Sequence, residues 1–239
     1  MTSAIIVTHQ GGRHLNACLQ TVLPQPFKRI VVAYTGSKPI GISSAVELVA
    51  SEVNTYAHAV NAGLAAIESD HAFILNDDTT LSSDVCERLQ AWEDAEPTIV
   101  APKILLNDNR IENAGHWLFS DGFNIARGRG RPQQQDFPMK AMIFSGAAVW
   151  IHATIHHAVG QFDEELGSYG EDVDYSLRAL RLGYIIHHDP YITLKHALGG
   201  TRGRAGATKA KLVEQNRIQA AIRSLPKRAL ITMPLTSLK

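Results

Sequence analysis

The chain has 239 residues, 45% of them hydrophobic, which is enough to bury a substantial core, and we expect one globular domain. Its 23 basic and 23 acidic residues give zero formal net charge, so the composition argues against nucleic acid as a partner. Only Cys18 and Cys86 occur, both in segments predicted as helices. This excludes a disulfide-stabilised scaffold and fits a reducing compartment.

The first third of the chain predicts alternating strands and helices. Residues 4–8 read as a buried strand with no basic leader before it, residues 13–23 as a helix closed by Pro24, and residues 29–33 as a second strand. A short element at 46–49, a helix at 59–69 and a strand at 72–75 follow. The order predicts an α/β fold with a mostly parallel sheet and helices on both faces.

Polar side chains follow two of these strands. Thr8, His9 and Gln10 end the first strand, and Asn76, Asp77 and Asp78 end the strand at 72–75. Ligands of such folds bind at the carboxyl ends of the strands, so we expect both groups to line one crevice.

The middle of the chain, residues 107–138, is rich in Gly, Arg, Asn and Gln and predicts a mobile loop. Such a loop is either an ordinary surface excursion or a flap over a substrate. A strand at 143–151 and a short helix at 154–159 follow, and the longest apolar stretch, 141–151, is too short to cross a bilayer as a helix.

Adjacent carboxylates begin the next predicted helix. Glu171 and Asp172 follow Gly170, and apolar residues then recur at helical spacing up to a helix end near Gly183. The unpaired N–H groups of a helix N-terminus keep a carboxylate ionised, and the glycine lets another molecule approach, so Asp172 is a candidate general base. The alternative is that both acids only cap the helix.

The acids after the strand at 72–75 form a cluster of hard oxygen ligands suited to Mg²⁺ or Mn²⁺, with phosphate and water completing the coordination. His196, at the end of an apolar run, could add an imidazole ligand. His9 or Tyr34 could stack on a nucleobase, with Asn54, Asn61 and Gly63 as a polar rim. The alternative is an ordinary acidic turn and a packed histidine.

Seven segments in this order resemble the family-2 glycosyltransferases of the GT-A fold, particularly bacterial rhamnosyltransferase-like members. The resemblance covers most of the chain. The segments are Ile5-Ile6-Val7-Thr8-His9-Gln10, Asn54-Thr55-Tyr56-Ala57 through Asn61-Ala62-Gly63, Leu75-Asn76-Asp77-Asp78-Thr79, Ser145-Gly146-Ala147-Ala148, Val159-Gly160-Gln161-Phe162-Asp163-Glu164, Tyr169-Gly170-Glu171-Asp172-Val173-Asp174 and His196-Ala197-Leu198-Gly199-Gly200.

The resemblance implies an inverting transfer of a sugar from a UDP-, dTDP- or GDP-linked donor, held on Mn²⁺ or Mg²⁺, to an acceptor hydroxyl. Asp78 and His196 would bind the metal, Asp172 would be the base and Glu171 would position the acceptor or the loop that carries the base. Thr8, His9, Gln10, Tyr34, Asn61, Asn76 and Asp77 would contact the nucleotide or donor sugar. The implied acceptors are polysaccharides, glycolipids or lipid-linked glycans of a bacterial cell envelope.

The sequence departs from the family pattern in three places, one of which is His9, where the first-strand motif usually ends with Tyr. Tyr34-Thr35-Gly36-Ser37 replaces the usual Asp-Asn-Gly-Ser turn, so the carboxylate that commonly reads the nucleobase is missing and base specificity is altered or lax. The expected GT-A domain covers residues 1–200, and residues 201–239 form a short basic helical tail. Between residues 202 and 228 there are eight Lys or Arg and one acid, which predicts a phosphate-rich partner or peripheral contact with an anionic membrane from the cytoplasmic side. The alternative is a solvated basic helix.

Two alternatives stay open at this point. A degenerate member of the fold would bind a nucleotide or glycan without turnover. A sugar nucleotidyltransferase would carry a glycine-rich basic signature after the first strand, of which Gln10-Gly11-Gly12-Arg13 is a poor version.

Overall fold

The computed structural model describes residues 1–68, 70–119, 122–197 and 206–224, and for residues 206–209 it describes the backbone alone. The strands in these ranges are β1 Thr2–Thr8, β2 Ile30–Tyr34, β3 Glu47–Ala50, β4 His71–Asn76, β5 Thr79–Leu81, β6 Thr98–Leu105, β7 Ile111–Asn113, β8 His116–Leu118, β9 Asn124–Ala126, β10 Lys140–Ala141, β11 Ala148–Ile151 and β12 Ile185–His196. The helices are α1 Arg13–Val22, α2 Tyr56–Ile67, α3 Val85–Glu93, α4 Ala153–Val159, α5 Glu171–Arg181 and α6 Gly206–Ser224.

Most of these strands form one mixed sheet in the order β10-β12-β6-β11-β4-β1-β2-β3, with β5 beside β12 and β7 beside β6. The sheet is parallel along β4-β1-β2-β3 and between β6 and β12, and β11 is antiparallel to both of its neighbours. Strands β8 and β9 form a separate hairpin. The α/β fold predicted from the sequence is confirmed.

The sheet is buried on both faces because β1 alternates between two apolar clusters. Ile5 packs with α2 on one face, while Ile6 packs with α1 on the other. Gly63 belongs to the first of these contacts, since a Cβ at this position would lie 2.5 Å from Ile5 Cγ2. Gly63 therefore allows α2 to lie close to β1, and its role is packing rather than part of a polar rim.

Two elements differ from their predicted bounds. The strand expected at 143–151 is limited to β11, because a turn closed by Ala148 N donating to Ser145 O (3.2 Å) precedes it. The helix expected at 59–69 starts earlier, at Tyr56, where the backbone N–H donates to Ser168 Oγ (3.1 Å). Cys18 and Cys86 are buried and free, in α1 and α3.

The prediction of a mobile loop at 107–138 is wrong where this segment forms the strands β7, β8 and β9. Arg127 organises this segment: it is 1% exposed and donates hydrogen bonds to the carbonyls of Ala114 (2.6 Å), Pro138 (3.0 Å) and Lys140 (3.0 Å). Burial lowers the pKa of Arg127 to about 10, so the guanidinium still carries its charge at neutral pH. An arginine that satisfies three carbonyls replaces the ladder hydrogen bonds that the irregular backbone lacks.

Helix α6 packs against α5, with Ala220 contacting the apolar cluster that includes Val173 and Leu177. Two of its cations are paired, Arg217 with Glu214 (2.6 Å) and Arg223 with Glu165 (2.6 Å). The rest of the predicted basic tail, residues 201–205 and 225–239, lies outside the described residues. Within the described part of the chain, no helix combines the length and the apolar character that crossing a membrane requires.

Candidate active site

A cleft of about 880 Å³ opens where the carboxyl end of β4 meets the start of α5. Its walls come from the turn before α2, the 145–147 turn, the loop at 166–170, the β8–β9 hairpin and one side of α6. Residues that the sequence predicted for the site and that line this cleft are Asn54, Asn76, Glu171, Asp172 and His196.

Asp172 lies in the first turn of α5, and backbone donors fix its carboxylate. Oδ2 accepts a hydrogen bond from Gly146 N (2.9 Å), and Oδ1 accepts one from Val173 N (2.8 Å). Each carboxylate oxygen has two lone pairs, so both keep capacity for a further partner. Asp172 is thus an oriented acceptor in the wall of the cleft.

Glu171 has a different environment from its neighbour. It is 6% exposed, and its Oε2 has no hydrogen-bond partner among the described residues. Burial, and secondarily the charge of Asp172, raise the pKa of Glu171 well above its usual value. Glu171 therefore favours its proton-bearing form.

Tyr56 completes this wall from the start of α2. Its hydroxyl donates to the carbonyl of Gly146, whose N–H binds Asp172. Burial raises the pKa of Tyr56 well above its usual value, with further contributions from Glu171 and Asp172, so the phenol keeps its proton as a donor. The backbone N–H and C=O groups of Gly146 therefore link Asp172 to Tyr56.

Asn216 of α6 holds the loop that leads into α5. Its amide nitrogen donates to the carbonyls of Leu166 (2.9 Å), Ser168 (3.2 Å) and Tyr169. Tyr169 and Gly170 both have left-handed backbone, at φ 71° and 94°. A Cβ on residue 170 would lie 3.0 Å from Asn216 Cβ, so glycine there permits α6 to approach the start of α5.

Asp78 and His196 meet because β5 pairs with β12, with Thr79 opposite His196. Asp78 Oδ1 lies 2.9 Å from His196 Nε2, and Glu112 Oε2 lies 2.8 Å from His196 Nδ1. Burial lowers the pKa of His196, but the hydrogen bonds to Asp78 and Glu112 outweigh it and raise the pKa to about 9. Glu112, in β7, had no sequence signal.

No group of three or more His, Cys, Asp or Glu side chains arranged to hold a metal occurs within the described ranges. Asp78 and His196 offer one carboxylate oxygen and one imidazole nitrogen, 2.9 Å apart. Two neighbouring ligands of an octahedral ion with bonds of about 2.1 Å are about 3.0 Å apart, so the pair fits two positions of such an ion once His196 Nε2 has given up its proton. The remaining positions would belong to phosphate and water, and Glu112 would hold the imidazole as outer partners of metal-bound histidines do.

The residues predicted to contact the nucleotide form a connected polar edge beside the cleft. Thr8 Oγ1 donates to Asp77 Oδ2, and burial raises the pKa of Asp77 against the effect of that hydrogen bond. His9 Nδ1 lies 2.9 Å from Thr35 Oγ1, which donates to Asn54 Oδ1 (2.9 Å). Asn54 lines the cleft, so this edge is continuous with it.

Three further residues were predicted to contact the nucleotide: Tyr34, Gln10 and Asn61. Tyr34 ends β2 opposite Thr8, and Gln10 is exposed beside His9. Asn61 is 4% exposed within α2, where its amide binds Phe162 O (2.9 Å), Phe162 N (2.9 Å) and Glu164 Oε1 (2.9 Å). Its hydrogen-bonding groups hold the 162–164 segment, so Asn61 is not part of the proposed donor site.

A sequence model of the family described as "Glycosyl transferase family group 2" matches residues 71–202, more than half of the chain. The chain belongs to this family. The match includes Asp78, Glu112, Asp172 and His196. No curated protein matches this glycosyltransferase.

Solved structures similar to this glycosyltransferase share the GT-A fold. GalNAc-T7 with UDP, GalNAc and Mn²⁺ has a TM-score of 0.71 at 14% identity, covering 93% of this chain and 47% of that one. Mannosyltransferase PcManGT from Pyrobaculum calidifontis, with GDP-Man and Mn²⁺, has a TM-score of 0.63 at 15% identity, and the match covers 99% of this chain and 68% of that one. S. aureus TarS 1-349 with UDP-GlcNAc has a TM-score of 0.64 at 13% identity, and the match covers 97% of this chain and 71% of that one. The chain thus spans about half the length of GalNAc-T7.

Proposed function

We propose that this glycosyltransferase moves a sugar from a nucleotide-diphospho-sugar to an acceptor hydroxyl with inversion at the anomeric carbon. The observation that carries the proposal is the position of Asp172 and His196 in one cleft, with Asp78 hydrogen-bonded to His196. A base and a candidate diphosphate-binding pair, contributed by distant segments, therefore serve one site.

Asp172 is the proposed general base. The acceptor oxygen forms a bond to the anomeric carbon while the bond from that carbon to the diphosphate oxygen breaks, and the hydroxyl proton passes to Asp172. The hydrogen bonds from Gly146 N and Val173 N hold the carboxylate without protonating it. A positioned base of this kind typically contributes about 10² to 10⁴-fold to the rate.

Glu171 is proposed to orient the acceptor. Because burial raises its pKa, it favours its proton-bearing form and can donate a hydrogen bond from Oε2, which has no partner among the described residues. A neutral Glu171 adds no negative charge of its own where the acceptor hydroxyl binds.

Asp78 and His196 are proposed to hold Mn²⁺ or Mg²⁺ together with the donor, with Glu112 fixing the imidazole. When bound, the ion would neutralise the charge of the departing nucleoside diphosphate. Asn76, Asp77 and Thr8 lie at the adjoining strand ends, where they would contact the donor, and His9, Gln10 and Tyr34 would face its base.

The donor class is proposed to be a UDP-, dTDP- or GDP-linked sugar. Support comes from the similar folds solved with UDP, UDP-GlcNAc or GDP-Man. The acceptor is proposed to be a glycan, either a polysaccharide or a lipid-linked or glycolipid acceptor of a bacterial cell envelope. The rhamnosyltransferase-like subtype stays a prediction from the sequence.

Thermal unfolding with a panel of nucleotide sugars, each with and without Mn²⁺, tests the proposal, because a ligand that binds the folded state raises its melting temperature. We expect one donor to stabilise the protein in the presence of Mn²⁺. The same donor should then release nucleoside diphosphate slowly into water. Stabilisation without any release would favour the non-catalytic binding alternative, and no stabilisation by any donor would contradict the proposal.

A further inference from the structure

One face of the β8–β9 hairpin carries four large apolar side chains. Trp117 and Ile125 lie opposite each other in the strand pairing, and Phe119 and Phe123 continue the same alternation just beyond it, with ring centroids 6.3 Å apart. Trp117, Phe119, Phe123 and Ile125 are 45%, 48%, 49% and 47% exposed. We call these four residues the hairpin face.

The apolar area of the hairpin face is too small for a stable interface with another protein, but it is large for a surface that contacts only water. Four half-exposed side chains of this size present on the order of 400 Å² of apolar area. A stable protein interface needs about 800 Å² on each partner, whereas apolar patches of several hundred Å² on a monomer usually have a function.

The chemistry of the surroundings favours an anionic lipid surface. Tryptophan and phenylalanine partition into the interface of a bilayer, and basic residues beside them are attracted to anionic headgroups. Arg129 and Arg131 lie three and five residues beyond the end of β9 and are exposed, and Arg129 lines the cleft together with Phe123. The Arg129 guanidinium is 3.8 Å from Glu112 Oε1 and 57% exposed, so it remains largely open to solvent.

The hairpin face is also continuous with the cleft. Phe123 belongs to both surfaces, and Asn124 beside it lines the cleft together with Asp172. An acceptor carried in a membrane surface below the hairpin would therefore reach the proposed base without leaving the lipid interface. Two of the described cations of α6, Arg217 and Arg223, suit this contact less well, because they are held in ion pairs.

We propose that the hairpin face of Trp117, Phe119, Phe123 and Ile125 docks on an anionic bilayer, with Arg129 and Arg131 contacting the headgroups. If the protein docks in this way, the acceptor of the proposed sugar transfer is a lipid-linked glycan. Only this statement about the acceptor rests on the proposed function. Docking itself requires neither donor nor metal.

Tryptophan fluorescence provides the test, because Trp117 is the exposed indole among three. Trp150 is 0% exposed, and Trp92 is partly buried and donates to Asp189 Oδ2 (3.0 Å). Vesicles of phosphatidylcholine with phosphatidylglycerol should shift the emission to the blue, and brominated lipid should quench it. Pure phosphatidylcholine vesicles should give a much weaker response.

The double variant Phe119→Ser/Ile125→Ser keeps the Trp117 probe and should lower vesicle partitioning by roughly tenfold or more. Ile40→Ser/Leu182→Ser is the matched control, since it also removes two exposed apolar side chains, 91% and 57% exposed, from other surfaces. It should bind as the wild type does. Nucleoside diphosphate release in solution should be the same for both double variants.

Three results would overturn the docking proposal: no spectral shift with anionic vesicles, equal binding to pure phosphatidylcholine, or equal losses in both double variants. Each is separable from failure of the proposed function, because donor turnover is measured without lipid. Vesicle binding without donor turnover would retain the docking surface and remove only the lipid-linked acceptor.

Discussion

Glu112 and His196 form a buried contact of 2.8 Å between Oε2 and Nδ1, although 84 residues separate them. The other imidazole nitrogen faces Asp78. With one ring nitrogen held by Glu112, the second is aimed at Asp78 and at the position proposed for the metal. The carboxylate in β7 therefore sets the orientation of a residue from the end of β12.

Glu112→Gln should weaken Mn²⁺ binding by about 10 to 100-fold, because partners of metal-bound histidines orient the ring and raise its basicity. Titration of Mn²⁺ by electron paramagnetic resonance, in the presence of donor, measures this directly. Asp108→Asn is the matched control, since Asp108 is an exposed acid near β7 that pairs with Arg110 (2.7 Å). Equal Mn²⁺ affinity in Glu112→Gln and the wild type would remove Glu112 from the site.

Glu171→Gln should retain most of the transfer activity at neutral pH. Burial favours the protonated form of Glu171, and a glutamine side chain reproduces the neutral charge and the shape of that form. Rates measured across pH should show wild type losing activity at high pH as Glu171 ionises, with Glu171→Gln lacking that loss. A variant as inactive at pH 7 as one without the base would mean that Glu171 acts as an anion.

His188 should make the fold less stable in acid. It is 0% exposed in β12, and burial lowers its pKa to about 4 against the opposing hydrogen bond to the Ala101 carbonyl (3.1 Å). Below about pH 6.5 the unfolded chain binds a proton at this residue that the folded chain does not, so stability falls as the pH drops towards 4. The full window corresponds to about 3 kcal/mol.

Urea unfolding of His188→Gln at several pH values measures this contribution. The variant should start less stable at pH 7 but lose less of its unfolding free energy on acidification than the wild type does. His157→Gln, at an exposed position of α4, should follow the wild-type dependence. Parallel pH curves for wild type and His188→Gln would show that the residue titrates equally in both states.

Local patterns predicted the elements that deliver the two acidic groups. The apolar run before Asn76 and the helical spacing after Asp172 are properties of a few neighbouring residues, and both elements are observed. Their proximity, in contrast, depends on the 145–147 turn, since Asn76 N donates to Ala147 O (3.0 Å) and Gly146 N donates to Asp172 Oδ2 (2.9 Å). These contacts join residues far apart in the sequence, so periodicity could not supply them.

The middle segment could not be predicted because its stability does not come from an apolar pattern. Arg127 has the residue type of a solvated surface, yet it is buried by hydrogen bonds to three carbonyls that only the folded chain assembles. Glu112 was missed for the same reason, since β7 has three residues and no helical or alternating signature. Asn61 shows the converse error. Its polar side chain suggested a ligand contact, but the side chain hydrogen-bonds to the backbone of Phe162 and holds that loop.

Donor binding and transfer, measured side by side for Asp78→Asn and Asp172→Asn with Mn²⁺ present, test most directly whether two distant acids share one site in separate roles. Asp78→Asn should lose Mn²⁺-dependent donor binding. Asp172→Asn should bind the donor as the wild type does and lose about 10² to 10⁴-fold of transfer. Wild-type transfer by Asp172→Asn, or unchanged Mn²⁺-dependent donor binding by Asp78→Asn, would contradict the proposed site.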